Sequence, residues 1–196
     1  MTGTVENLSL ITSSIMSKKL AAGSDAILLD VKCGSGAFMK TQEDAEALAE
    51  LMVSIGNSSG KVTAAVITDM DQPLGRAVGN GLEVREAIEV LKGLGPKDIT
   101  ELSVNLAGLM IFMGGRAKNE ADGMKMAQEA LTSGRGLAKF ADFVEGQGGD
   151  PAVIHDHSLL PQSSVEMELT AKEDGYVESI DALRIGMASQ PTGAGR

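Results

Sequence analysis

Two short apolar runs with a helix-like stretch between them constrain the fold of this chain more than any other feature. Residues 26–31 (AILLDV) and 61–68 (KVTAAVIT) are almost continuously apolar, which is typical of strands buried on both faces. Between them, Thr41 and Asp44 mark a helix start, and an apolar stripe of helical spacing follows over 45–55. Strand, helix and strand in this order predict a parallel sheet with helices packed against it.

The remaining patterns are mostly helical and complete an α/β prediction: a partial mixed or parallel sheet flanked by helices. Helical spacing of apolar residues covers 8–22, and Gly23 is a typical C-terminal stop. Residues 164–170 alternate apolar and polar, so they predict a half-exposed strand. Further helices, broken at glycines, are predicted over 81–91, 100–134, 137–146 and 180–188.

Charge and cysteine content exclude several classes of protein. With 17 basic and 27 acidic residues among 196, the formal charge is −10, so most of the surface would repel nucleic acid phosphates. Cys33 is the single cysteine, which excludes an internal disulfide and a clustered-thiolate zinc site. No apolar run is long enough to cross a bilayer, and the first lysines follow the opening apolar run, unlike in a signal peptide. We expect no nucleic acid or membrane partner and a cytoplasmic location.

Ser14 and Lys18 are the first candidate binding residues. They lie four positions apart in the first predicted helix and therefore share one face. A hydroxyl and an ammonium side by side can bind a polar ring that carries carbonyl oxygens. From the spacing alone a solvated helix face is the favoured interpretation, and the neighbouring Lys19 is assigned to that solvated surface.

A second candidate is the glycine-rich loop 32–39, which follows a buried strand and precedes a helix. Open α/β sheets place their ligands at such positions, and glycines let backbone amides approach a bound group closely. The loop matches neither the dinucleotide nor the Walker fingerprint, so a tight connection without a ligand is the favoured alternative. Phe38, one of four phenylalanines, is a candidate pocket wall beside it.

Two pairs of residues raise the question of a metal. Asp69 and Asp71 suggest metal ligands, but a turn that leads into Pro73 explains them as well and is favoured. His155 and His157 lie in a predicted loop without a third ligand nearby, so a zinc site is not favoured there.

Several blocks of sequence, in order along the chain, resemble the pyrimidine-nucleoside phosphorylase and thymidine phosphorylase family. Several long blocks in the right order are far more specific than one short motif. The QPLG stretch is closer to the bacterial pyrimidine-nucleoside type than to the thymidine-restricted type. The blocks are SSIMSKK at 13–19, DVKCGSGAFM at 30–39, TDMDQPLG at 68–75, GNGLEV at 79–84, GLGP at 93–96 and GAGR at 193–196.

The resemblance implies a glycosyltransferase that splits pyrimidine nucleosides with phosphate, giving free base and ribose or deoxyribose 1-phosphate. Ser14 and Lys18 align with the serine and lysine that hydrogen-bond the pyrimidine ring in that family. Ile11 and Phe38 fall at positions that line the base pocket. The chemistry agrees, since a leaving pyrimidine gathers negative charge on its carbonyl oxygens, which a fixed ammonium stabilises.

The resemblance also implies a potassium ion and a homodimer. The ion would be bound by the backbone carbonyls of Leu74 and Ala77 and by the carboxylate of Glu86, and hard oxygen ligands suit such a cation. Without the resemblance, Glu86 is interpreted as solvated helix surface. Self-association is further expected if apolar residues of the first helix are left partly unburied, namely Leu8, Leu10, Ile15 and Leu20.

The match suggests that this sequence corresponds to the central portion of the family. Residues 1–22 are expected to be the end of a helical domain and 23–196 part of an α/β domain, truncated at both ends. The phosphate-binding stretches are then expected before Met1, so we expect no phosphorolysis by these 196 residues alone. The alternative interpretation is a non-catalytic remnant or interaction scaffold that retains the family core.

Overall fold

The computed structural model describes residues 7–194 and shows an α/β chain with one small sheet. Within this range there are seven α-helices, two parallel strands and three short 3-10 turns. The elements are α1 Leu8–Ala21, β1 Ala26–Cys33, α2 Gln42–Ser58, β2 Val62–Asp69, α3 Asn80–Leu91, α4 Lys97–Met113, α5 Glu120–Thr132, α6 Arg135–Gly146 and α7 Ala182–Ser189, with 3-10 turns at Pro151–Ile154, His157–Leu159 and Gln190–Thr192.

The β1–α2–β2 unit is the centre of the fold and confirms the predicted parallel sheet. Its strands pair in register from Ala26 opposite Val62 to Cys33 opposite Asp69. Thr41 caps α2 by accepting a hydrogen bond from the Asp44 amide at 3.2 Å. Apolar side chains of β1 and α2 then bury against each other and against α1; the buried set is Met16, Ile27, Leu29, Val31, Ala45, Leu48, Ala49 and Met52.

Helix α1 packs on this core along one side and leaves the other side in solvent. The Asn7 side chain accepts from the Leu10 amide and caps the helix at its start. Thr12 and Met16 are buried, and the Thr12 hydroxyl donates to the Leu8 carbonyl at 2.7 Å. Burial of one side fixes the rotation of the helix, so that Ser14, two positions after Thr12, is exposed.

A second, smaller core lies where α3 meets α6 and the chain that follows. Ile88 of α3 is fully buried against Val153 and Ile154. Partly buried residues complete this core; they are Leu137, Phe140, Ala141, Val144 and Leu160. Helices α4 and α5 pack against each other, and α4 also contacts β1. The apolar spacing predicted helical structure in the regions of α3, α4, α5 and α6.

The strand predicted over 164–170 is wrong. This segment has no regular structure, and Val165, Met167 and Leu169 are 76%, 80% and 87% exposed. A strand requires a neighbour for its backbone hydrogen bonds, and the two described strands pair with each other instead. Apolar and polar side chains do alternate over 164–170, but no strand within residues 7–194 pairs with this segment.

None of the helices in the described range is both long and apolar enough to cross a membrane.

Candidate functional site

Ser14 and Lys18 lie together on the exposed face of α1. The Lys18 ammonium donates a hydrogen bond to the Ser14 hydroxyl, with Nζ 3.1 Å from Oγ. Both side chains are exposed, and Lys18 lies in the last turn, where the partial negative charge of the helix end favours a cation. The pair therefore presents a cation and a hydroxyl to solvent at one place, as the four-residue spacing predicted. Its role in base binding stays a prediction.

Ile11 and Phe38, the predicted pocket walls, lie on two different elements that pack on the same core. Ile11 is one turn before Ser14 on α1 and packs partly buried against the main core. Phe38 is 72% exposed, while Cys33 and Met39 of its loop also pack on that core. The structure thus places the Ser14 helix and the Phe38 loop around one apolar centre.

The glycine-rich loop forms the tight connection that was the favoured interpretation, because its amides are bonded within the protein. The Ser35 amide donates to Asp71 Oδ1 at 2.7 Å, and the Gly36 amide donates to the Met70 carbonyl at 2.9 Å. The Gly34 amide is likewise bonded inside the loop, to the carbonyl of Met39 at 3.0 Å. Backbone groups already satisfied within the protein are not available to a phosphate.

Asp69 and Asp71 form the favoured turn. The Asp71 amide donates to Asp69 Oδ1 at 2.9 Å, an arrangement in which the side chain stabilises its own turn. Each of these carboxylates thus accepts a backbone hydrogen bond. Among residues 7–194 no group of three or more His, Cys, Asp and Glu is placed to hold a metal ion.

Glu86 is turned toward the loop that carries the predicted potassium ligands, and it is not a plain solvated surface residue. Its Oε1 accepts hydrogen bonds from the amides of Arg76 at 2.8 Å and Ala77 at 3.2 Å. Its Oε2 lies so close to Gly75 that a Cβ there would overlap it. Gly75 also has φ +72°, which disfavours any other residue. The Glu86 carboxylate thus takes the space that a side chain at position 75 would need, so this position requires glycine.

Two further carboxylates hold the same loop. The Gly75 amide donates to Asp98 Oδ2 at 2.9 Å, and this hydrogen bond holds the pKa of Asp98 below its ordinary value of 3.8. The Gly79 amide donates to Glu83 Oε1 at 2.9 Å. Because the peptide bond before Gly75 is trans, the Leu74 carbonyl points away from Asp98.

The ligand types predicted at this loop are those that suit a monovalent cation. A carboxylate and backbone carbonyls are hard oxygen ligands of low total charge, which suit potassium better than a tightly held divalent ion. Glu86 Oε2 lies next to Gly75 of the loop. Leu74, Ala77 and Glu86 as ligands of potassium stay a prediction.

Sequence reasoning missed two polar clusters. Lys32 Nζ lies 2.7 Å from Asp30 Oδ2 and donates to Thr68 Oγ1 at 2.9 Å, which joins β1 to β2. Asp30 and Lys32 are two positions apart in a strand, so the sequence places them on one face of the sheet. That Thr68 lies opposite Lys32 is known only from the register in which the two strands pair. The second cluster gave no sequence signal, since its members are distant in the chain: His157 contacts Glu89 and Lys92 at 3.5 and 3.4 Å.

A shallow groove of about 340 Å³ lies between α1 and α2, on the side of α1 away from the Ser14–Lys18 pair. Ser13, Met16, Ser17 and Ile55 are among its lining residues. The candidate base-binding residues therefore face a different part of the surface.

Comparison with known families shows which class of α/β unit this is. Residues 1–137 match the family described as "Glycosyl transferase family, a/b domain", and the chain belongs to that family. Over all 196 residues it is 54% identical to the pyrimidine-nucleoside phosphorylases of Staphylococcus aureus strains USA300, NCTC 8325 and COL. The chain spans 45% of the length of these relatives. The resemblance to the phosphorylase family is confirmed.

Proposed function

We propose that this chain is the base-binding part of a pyrimidine-nucleoside phosphorylase, which cleaves pyrimidine nucleosides with phosphate to free base and pentose 1-phosphate. The observation that carries the proposal is the hydrogen-bonded pair of Lys18 and Ser14, exposed together on α1. The name of the relatives at 54% identity supports the substrate class.

The chemistry of the pair suits a pyrimidine ring. The ring carries carbonyl oxygens, which accept from an ammonium, and a ring N–H, which donates to a hydroxyl oxygen. As the bond to the sugar breaks, charge develops on the ring oxygens, and the Lys18 ammonium would stabilise that charge more than it stabilises the substrate. Ile11 and Phe38 would enclose the ring from the core side and the loop side.

The test of base binding is a titration of the isotope-labelled chain with uracil, followed by NMR. We expect shifts centred on α1 and the 34–38 loop, and binding weakened about tenfold or more in K18A and S14A, since each loses a hydrogen bond to the ring. K19A and S13A are matched controls on the same helix and should bind as wild type. Equal binding by K18A and K19A would contradict the proposal.

We propose that phosphorolysis itself requires parts of the enzyme outside these 196 residues. The relatives are more than twice as long as the stretch that they share with this chain. Positioning phosphate for attack contributes several kcal/mol to such a reaction, and no anion cradle is formed by the amides of the 34–36 loop. When the chain is incubated with uridine or thymidine in phosphate buffer, absorbance should detect no free base. Formation of free base that is lost in K18A would overturn this proposal.

The proposal extends to potassium, a homodimer and a cytoplasmic location. Leu74, Ala77 and Glu86 would hold the ion, supported by the position of the Glu86 carboxylate against the loop. Phosphate is the co-substrate. Exposed apolar side chains support self-association, and the free Cys33 is in keeping with a reducing compartment.

One observation favours the alternative, a non-catalytic interaction scaffold. Residues 165–177 expose several large apolar side chains, and an exposed set of this kind marks interaction surfaces. The uracil titration separates the two functions. A scaffold would associate with partners while wild type showed no uracil-dependent shift at α1.

A further inference from the structure

The loop between β1 and α2 presents the ring of Phe38 to solvent on a backbone that is fixed on both sides. Phe38 is 72% exposed. The residue before it, Ala37, is buried, and the residue after it, Met39, forms a bridge with Cys33 at the end of β1. Contacts that hold the loop backbone fix the direction of the Phe38 Cα–Cβ bond, so they decide from which point of the surface the ring projects.

Asp71, just beyond β2, holds this loop through two of its atoms. Its Oδ1 accepts from the Ser35 amide at 2.7 Å, and its carbonyl oxygen accepts from the Ser35 hydroxyl at 3.0 Å. Asp71 is itself fixed, because its amide donates to Asp69 Oδ1 at 2.9 Å. The Asp69 carboxylate therefore holds the backbone of Asp71, and the Asp71 carboxylate holds the backbone of the loop.

The loop backbone lies directly against Asp71, without space for side chains between them. A Cβ built on Gly34 would lie 2.7 Å from Asp71 Oδ1 and 2.8 Å from the Asp71 amide nitrogen. A Cβ on Gly36 would lie 2.8 Å from the Met70 carbonyl oxygen. Real Cβ atoms do not approach that closely, so the glycines of the loop are required by this contact.

The C-terminal part of the described chain closes on the same residue. The Ala182 amide, at the start of α7, donates to the Asp71 carbonyl at 3.2 Å. The Ala182 side chain lies 2.7 Å from the position that a Cβ on Gly36 would take. Asp71 thus joins three segments: the end of β2, the Phe38 loop and the beginning of α7.

We propose that Asp71 is a positioning residue for the base site, which fixes the 34–38 loop so that the Phe38 ring stands as a preformed wall for the pyrimidine. This inference rests on the proposed function. Asp71 does not contact the ring of Phe38 in this role; it acts through Ser35 and the loop backbone. A wall fixed before binding removes the cost of ordering the loop when the base arrives, so Asp71 contributes to affinity without touching the ligand.

The role requires a hydrogen-bond acceptor at Oδ1 and not a negative charge. D71A removes the acceptor, whereas D71N keeps an oxygen at that position and removes the charge. A role through the loop therefore predicts that D71N restores most of what D71A loses. S35A removes the bond to the Asp71 carbonyl alone and gives a milder variant if D71A does not fold. D150A and D150N are matched controls, because Asp150 accepts from the Ala152 amide at 2.9 Å in a turn outside this loop.

Two measurements on the labelled chain test the inference: hydrogen exchange at the Ser35 and Gly36 amides, and uracil affinity by titration. In D71A we expect Ser35 exchange to rise about tenfold and uracil affinity to fall about five- to tenfold, in line with one lost hydrogen bond. D71N should stay within about twofold of wild type in both, and S35A should lie between. The Asp150 variants should change neither quantity.

The outcomes separate this inference from the proposed function. Unchanged Ser35 exchange in D71A overturns it, because Asp71 then does not hold the loop. Raised exchange with unchanged uracil affinity also overturns it, because the loop then does not matter to the base. If wild type itself binds no uracil, the proposed function has failed, and the exchange data alone decide whether Asp71 fixes the Phe38 loop.

Discussion

Three carboxylates around one loop concentrate negative charge where backbone carbonyls are also present. Glu86, Asp98 and Glu83 accept hydrogen bonds from four amides between Gly75 and Gly79. Each amide that faces a carboxylate turns the carbonyl of the same peptide unit the opposite way. The carboxylates themselves provide the fixed negative charge that would attract a cation to this loop.

The first prediction follows for Glu86. Potassium should raise the thermal midpoint of the wild-type chain relative to sodium at equal ionic strength, because a ligand that binds the folded state stabilises it. At ten times its Kd, potassium would add about 1.4 kcal/mol. E86Q keeps one oxygen, which can still accept from the Arg76 and Ala77 amides, but it loses the charge, so its midpoint should be the same in both salts.

E83Q is the matched control for E86Q, since Glu83 holds the same loop through Gly79. It should keep the potassium-dependent shift. A shift that is equal in E86Q and wild type would show that the ion, if bound, is not held by this carboxylate.

Asp98 gives a prediction on pH. The hydrogen bond from Gly75 lowers its pKa in the folded state, so its ionised form is stabilised by folding. That stabilisation is present above the unfolded value near 3.8 and is lost as pH falls through the lowered folded value. D98N should cost about 0.5–1 kcal/mol of unfolding free energy near neutral pH, since Asp98 is exposed and also lies in the first turn of α4.

Urea unfolding of wild type and D98N at neutral pH and at about pH 3 measures this difference. The gap between the two proteins should narrow as the pH is lowered. A gap that stays constant, or widens, would mean that ionisation of Asp98 is not linked to folding.

At the scale of elements, the local pattern of apolar residues is sufficient to predict an element when that element buries one face on a neighbour close in the chain. The capped helix α2 and strands β1 and β2 were predicted because each carries its own periodicity and each finds its partner within the β1–α2–β2 unit. The segment 164–170 carries a similar periodicity, but the partner that would make it a strand is not among residues 7–194. Pattern specifies which side chains share a face, whereas pairing decides whether a strand forms.

The same distinction applies to the site. The Ser14–Lys18 contact was predictable because it spans one helical turn. The contact of Asp71 with Ser35 was not, because it joins residues 36 positions apart and depends on how the ends of β1 and β2 meet. The glycines of the 34–36 loop indicate that some group lies close to the loop backbone. The sequence alone does not distinguish a ligand from Asp71, which is the group that the structure shows there.

The contact between α2 and β2 gives a prediction at this scale. A Cβ on Gly56, which is buried, would overlap the Thr63 hydroxyl and lie 2.7 Å from Thr63 Cβ. G56A should therefore destabilise the protein by about 1–3 kcal/mol, despite the better helix propensity of alanine. T63A removes part of the obstruction, so G56A/T63A should be more stable than the sum of the single variants predicts.

G146A is the matched control for G56A. Gly146 ends α6, and a Cβ there meets no atom within 4 Å. Its stability in urea should be equal to or slightly above wild type. Equal effects of G56A and G146A would show that α2 and β2 do not approach as closely as the structure indicates.

At the scale of the whole molecule, apolar exposure and net charge act in opposite directions. Leu10 on α1 is 48% exposed, whereas Leu8, Ile15 and Leu20 are partly buried against the core. The larger exposure lies at 165–169, where three apolar side chains are more than three-quarters in solvent. A net charge of −10 repels a second copy, so association should depend on how far salt screens that charge.

The last prediction is therefore self-association that increases with ionic strength. Light scattering at about 50 µM protein should show a dimer or larger species, and its mass should rise between about 20 mM and about 300 mM salt as charge repulsion is screened. Replacing the exposed apolar residues of the segment, V165S/M167S/L169S, should reduce the mass toward a monomer because it removes the apolar area that association would bury. L10S tests α1 in the same way and should have the smaller effect, since Leu10 is the less exposed. Wild type that remains monomeric at every salt concentration, with α1 ordered, would show that these side chains do not mediate contact between copies.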